Sequence, residues 1–478
     1  MKSRGVARGI ANRRLLAGIA APCATVLLLT WGATGALLAQ DVNAPTPVAP
    51  APLPQSGLQI RSVSAYAVYD SSFIPNSSAG GRPTSANTLP ADEGFGGSIV
   101  LERTKFTERS SFSLNYTPSY TGYVHNSSLN ALNHALSLAT SHKITPRWTL
   151  GFSAAGNLSS IEQSAFTPTT LSTVAALPST FSDLAAGILS ANFTNNPQLG
   201  AALTSSPLLQ SPVANLIYGQ RMLTASANVS LSYSYSPRLS LTFIGGGGRS
   251  QYISQGQSSP ANSLYVIPNT TSGNASVAIS YSLSPLTQVG GSVNTVFTSS
   301  SLYESYTTTS LATLGHTFGT RWLVQLHGGV GVTNPVRETS SAASVKPGPS
   351  IGGSLAYKIP SHTFLGSYDR TVGDQYGLGA STSSSVTASW HWRRLASFWW
   401  LDSAFNWQQL QGGALTNTSG WRATASLSRA IGTHVVLLTQ YVYSYYSGGL
   451  LLTASHVTQN AIRVSVGWTP HPPTTALQ

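Results

Sequence analysis

The chain has 478 residues, of which 8% are charged and 41% hydrophobic, with 44 Gly, 27 Pro, a single Cys and a formal net charge of +12. Soluble domains are about one quarter charged, so this composition argues against them, and it is too apolar for a disordered chain. A lone Cys excludes a disulfide scaffold, and beyond about residue 40 no apolar run approaches the roughly 18–20 residues of a spanning helix.

The first segment predicts export. Lys2, Arg4, Arg8, Arg13 and Arg14 precede an apolar stretch from Leu15 to Leu38, and small residues lead to Leu38-Ala39-Gln40. A basic region, an apolar core and a small-residue exit make a secretory signal over residues 1–39, cut after Ala39. The alternatives are an uncleaved anchor and, from Arg13-Arg14, a twin-arginine leader. Cys23 follows Pro22, which does not suit a lipoprotein site. The cleaved chain has no cysteine. Its 25 Lys and Arg less the five in the signal, set against 13 Asp and Glu, leave about +7.

Residues 40–57, ending in Pro54-Gln55-Ser56-Gly57, are rich in Pro and Ala and read as an extended linker. From Leu58 to Trp468 the pattern is alternation. Leu223, Ala225, Ala227, Val229, Leu231, Tyr233 and Tyr235 alternate with Thr224, Ser226, Asn228, Ser230, Ser232 and Ser234. Period two over that length is a strand. Ser236-Pro237-Arg238 then makes a turn, and Leu239, Leu241 and Phe243 resume the alternation. The same unit recurs around Ser284-Pro285-Leu286-Thr287, Phe318-Gly319-Thr320-Arg321, Ile359-Pro360-Ser361-His362, Arg393-Arg394 and Ile431-Gly432-Thr433-His434. An earlier turn is Thr145-Pro146-Arg147, and Ile462, Val464, Val466 and Trp468 close the series.

One side of each hairpin is short and the other long, with long stretches at 71–95, 121–129, 160–220, 249–270, 334–347 and 373–380. Nine long and eight short connections imply about 18 strands, within 16–20, and both termini on the short-turn side. The expected fold is all-β: an antiparallel transmembrane barrel over residues 58–468, followed by a tail at 469–478. The polar face carries Ser, Thr, Asn and Gln rather than the ions of a soluble sandwich. A soluble all-β protein and a parallel β-helix are the rival folds.

In this arrangement the chain resembles bacterial outer-membrane β-barrel proteins of porin-like size. The resemblance covers about residues 58–468 and rests on architecture. It implies the cell outer membrane as the location, with short periplasmic turns, long extracellular loops, and outer-membrane lipid and lipopolysaccharide as surroundings. The last strand, Ile462, Val464, Val466 and Trp468, resembles the signal by which barrel-assembly machinery recognises such chains. The tail Thr469 to Gln478 departs from that signal, which usually sits at the terminus. Loop 160–220 resembles a porin constriction loop in position and length, and an external loop over the mouth is the alternative.

Candidate functional residues follow from parity. Asp402, Arg422, Arg463 and His391 fall on the polar side of their strands and are the candidate pore-lining groups. The alternative is structural pairing inside a packed barrel. Cations cluster at the short turns, whereas Asp92, Glu93, Glu162, Asp183, Glu338 and Asp374 favour the long loops. Interfacial anchoring explains this, as does an acidic mouth that gathers cations.

Enzyme signals are poor. Gly348-Pro349-Ser350-Ile351-Gly352 matches a nucleophile-elbow string but opens a strand rather than a helix. The ten His show no metal-ligand spacing, and Gly245 to Gly248 precedes no helix, so neither a metal, a cofactor nor a phosphate loop is expected. The cations form no patch for nucleic acid. The expected function is a passive pore for small hydrophilic solutes. A structural or assembly barrel, for example in polysaccharide export, and a barrel-embedded lipid hydrolase are the alternatives.

Overall fold

The structure is a computed structural model. It describes residues 57–71, 91–125, 127, 130–159, 222–253, 269–301, 303–338, 347–374, 379–394, 398–412, 418–447 and 456–470. The expected signal 1–39, most of the linker and loop 160–220 lie outside the described residues.

Eighteen strands follow one another in chain order: β1 Leu58–Asp70, β2 Asp92–Phe106, β3 Ser110–Tyr123, β4 Ala131–Lys143, β5 Trp148–Ser159, β6 Met222–Ser234, β7 Leu239–Tyr252, β8 Thr270–Ser284 and β9 Thr287–Ser299. The second half comprises β10 Tyr303–Phe318, β11 Trp322–Glu338, β12 Gly348–Ile359, β13 His362–Gly373, β14 Ser381–Arg394, β15 Trp399–Gln411, β16 Thr418–Ile431, β17 Val435–Ser447 and β18 His456–Trp468. Each pairs antiparallel with its sequence neighbours, and β1 also pairs with β18, from Val63↔Trp468 to Asp70↔Ala461. The sheet is therefore a closed antiparallel barrel of 18 strands. Closure leaves no edge, so backbone polar groups are paired around the ring. No described helix is long and apolar enough to cross a membrane, and the strands take that role. At about 3.3 Å per residue and a tilt near 40°, a 13-residue strand spans roughly 30 Å along the barrel axis.

Register puts the two faces in order. Leu150, Leu231, Phe243, Val277 and Val293 lie side by side across β5 to β9. They form one apolar row on the outside, where Phe243, Val277 and Val293 are exposed. The next row toward the short turns holds Trp148 beside Tyr233, with ring centroids 4.5 Å apart. Trp322 beside Tyr357 (4.3 Å) and Phe364 beside Trp390 (5.9 Å) continue this aromatic level at the same end. The expected alternation therefore means an outer apolar band with an aromatic girdle, the pattern of a lipid-facing barrel. The inner positions carry Ser, Thr, Gly, Asn and Gln.

The turns expected from Gly, Pro and Ser all join consecutive strands at one end. Gly319 and Gly432 take φ of 59° and 72° there, left-handed conformations that favour glycine. Ser236 Oγ accepts the backbone N–H of Leu239 (3.1 Å), and Thr145 Oγ1 that of Trp148 (3.1 Å), which locks two of these turns.

Several boundaries differ from expectation. β2 starts at Asp92, β7 runs to Tyr252 and β11 to Glu338, so three long connections are shorter than the sequence implied. Glycines hid two of these strand ends: Gly94, Gly96 and Gly97 in β2 and Gly245 to Gly248 in β7 interrupt the apolar pattern. One connection on the long-loop side, between Ser299 and Tyr303, is as short as a turn.

Candidate functional site: the inner wall of the barrel

The four residues singled out by parity all point inward. His391, Asp402, Ser426, Gln440, Arg463 and Val68 form one register row across β14 to β18 and β1. Arg422 belongs to a parallel row, Asn406, Arg422, Ser444 and Gln459, four residues nearer the long loops. The barrel thus gathers all four on one wall.

The wall is tightly enclosed. Arg422, Arg463 and Asp402 are each 2% exposed. His391 is the most open, with 17% of its side chain accessible, and its Nδ1 lies 2.6 Å from Asp402 Oδ1. Arg422 Nε donates to Ser444 Oγ at 3.4 Å. Arg463 sets its guanidinium 3.4 Å from the centroid of the Tyr66 ring, a cation–π contact that gains strength when shielded from water. The Tyr66 hydroxyl donates to the Tyr120 carbonyl (2.9 Å) and lies 2.6 Å from Thr121 Oγ1. Tyr66 can reach them because Gly96 lies between: a Cβ there would stand 2.6 Å from Tyr66 Cζ. A stack of Arg463, Tyr66 and Gly96 therefore runs from β18 through β1 to β2 and packs the seam where the barrel closes. Gln459 Nε2 donates to Asp70 Oδ2 at 2.8 Å across the same seam.

Sequence reasoning missed Tyr66 and Asp70. Tyr66 alternates with Ala65 and Ala67 and so sits on the polar side, and the Gly opposite it was the signal that its ring would fold over a neighbour.

The acidic positions expected at the mouth separate. Asp92 is 2% exposed, and its carboxylate accepts the backbone N–H of Glu93 (2.8 Å) and of His125 (3.1 Å). Asp374 is 7% exposed. Glu93 is exposed. Glu162 and Asp183 lie outside the described residues. Ser350, the centre of the elbow-like string, is 0% exposed with no hydrogen bond to its Oγ among the described residues, and it lies within β12. Among the described residues no group of three His, Cys, Asp or Glu is placed to hold a metal ion.

A closed up-and-down barrel with an apolar exterior, an aromatic girdle and a polar interior is the architecture of a transmembrane β-barrel. No protein-family model matches the chain, and no curated protein matches it. Some solved structures align with the chain at low identity. OccK3 (OpdO) of Pseudomonas aeruginosa is 11% identical, with 85% of this chain and 95% of that one covered at a TM-score of 0.40. OccK9 (OpdG) of the same organism is 11% identical, covering 86% and 98% at 0.40. The P. aeruginosa outer membrane protein OpdK is 10% identical, covering 85% and 98% at 0.38. The barrel assignment rests on the chain's own strand pairing.

Proposed function

We propose that the protein is an outer-membrane barrel that gives small hydrophilic solutes a passive route across the membrane. The observation that carries this reading is the closed 18-strand sheet with its polar inner face. A ring of 18 strands about 4.8 Å apart and tilted near 40° has a diameter of roughly 35 Å between backbones. That is wide enough for an aqueous lumen, whereas eight strands only leave room for side chains. Short turns face the periplasm and long loops the exterior. The exposed Ile462, Val464, Val466 and Trp468 of β18 offer the assembly machinery its strand, and lipid and lipopolysaccharide cover the outer band.

Arg422, Arg463, Asp402 and His391 bias which ions pass. Two guanidiniums, Arg422 and Arg463, and two carboxylates, Asp402 and Asp70, are fixed on this wall, and each fixed charge acts on ions in a lumen whose dielectric is below that of bulk water. The test is the reversal potential of the refolded barrel in a salt gradient. Arg422→Ser shifts it toward cations and Asp402→Ser toward anions. An unchanged potential in both variants contradicts the role of this wall.

Its tight enclosure also favours a second reading, a barrel closed to solutes that serves as a structural or assembly component, for example in polysaccharide export. Absence of conductance from a folded barrel selects that reading.

A further inference from the structure

On the side of the barrel opposite the closure seam, one strand end leaves the wall. β12 pairs with β13 only as far as Ile351↔Arg370, although β13 continues to Gly373, still paired with β14 at Gly373↔Ser381. The end of β13 leans inward over β12 and β11. Two glycines admit it. A Cβ on Gly348 would stand 2.6 Å from Val372 Cγ2, and one on Gly331 would stand 3.3 Å from Val372 Cβ. Gly373 reaches β10, where a Cβ would stand 3.7 Å from Thr307 Cγ2.

The next residue, Asp374, is tied to strands three and four places away. Ser305 Oγ of β10 donates to its Oδ2 (3.3 Å), and Thr298 Oγ1 of β9 donates to its carbonyl (3.3 Å). Ser350 stands two residues from Gly348 on the same face of β12, and Thr333 two residues from Gly331 on β11; they are 0% and 1% exposed, and Ser305 is 0% exposed.

We infer that Val372–Asp374 is a fixed shelf across the β9–β13 arc at the long-loop mouth, latched by Asp374, and that it sets the size limit of the pore. The shelf rests on the pore reading for its consequence but not for its geometry. Among the described residues it is this end of β13 that narrows the mouth; loop 160–220, the constriction the sequence suggests, lies outside them.

The mature chain has no cysteine, which makes accessibility measurable. Ser350→Cys is made in the chain from residue 40 onward, which lacks Cys23, refolded into vesicles, and exposed to a small cationic methanethiosulfonate. The expected result is slow labelling with the shelf latched, and labelling at least tenfold faster after Asp374→Ala. Gly348→Val, which forces Val372 away, gives the same acceleration without touching the latch. Single-channel conductance rises in both variants. Fast labelling of the introduced thiol in the otherwise unaltered barrel overturns the shelf, as does slow labelling in both variants. Conductance that stays constant while labelling accelerates overturns its role as the size limit. Failure to conduct in every version, with the labelling contrast intact, overturns the pore reading and leaves the shelf standing.

Discussion

At the scale of single residues, the seam is where side chains decide most. β1 and β18 join with eight register pairs, against thirteen for β17 and β18, so this joint has fewer backbone bonds than its neighbours. The Arg463–Tyr66–Gly96 stack compensates with side-chain packing. Tyr66→Leu removes the ring face and the hydroxyl together. The expected loss is about 2 kcal/mol, the scale of a desolvated cation–π contact, read as a lower urea midpoint for the folded barrel. Gly96→Val should cost as much from the other side, because its side chain would occupy the place of the Tyr66 ring. If neither variant moves the midpoint, the stack does not secure the seam. Parity alone placed Arg463, Arg422, Asp402 and His391 inward. It could not show that they share one wall, since that depends on the register of five strands. It also could not show their burial, which depends on what packs above them.

Elements obey a simpler rule, and it can be tested within one strand. Val229 of β6 faces outward and Ser230 inward. Val229→Arg should cost about 2–4 kcal/mol if that position lies near the bilayer midplane. Ser230→Arg should leave stability nearly unchanged and reduce conductance. Equal destabilisation by the two would refute the assigned faces. The strands were legible because each side chain answers to one of two solvents, lipid or a polar interior, and the alternation records that choice. Their ends were less legible where glycine occupies inner positions, as at Gly94, Gly96, Gly246 and Gly248. There the absent side chain makes room for a neighbour, so the residue carries no sign of its own face. The lean of β13 is illegible for a related reason: it is permitted by Gly348 and Gly331, on strands distant in sequence from Asp374.

For the whole molecule, the charge layout agrees with the barrel's orientation. Arg103, Lys105, Arg109, Lys143, Arg147, Arg238 and Arg321 are exposed at the short-turn end. They suit the anionic headgroups of an inner leaflet, where a cation near the surface contributes about 1 kcal/mol. Vesicles with anionic lipid should therefore speed refolding relative to neutral ones, and 1 M salt should abolish the difference. No difference between the two lipids would contradict the anchoring role. Counting turns gave about 18 strands within 16–20, an even number, and the pairing of β1 with β18 shows 18 and closure. The identity of the solute is another matter, since it depends on the shape of the enclosed walls rather than on any motif. The most direct test of the central claim is single-channel conductance of the refolded mature chain in a planar bilayer. Stable ohmic openings, altered in ion selectivity by Arg422→Ser, are the predicted result. A folded, heat-modifiable barrel that never conducts would contradict it.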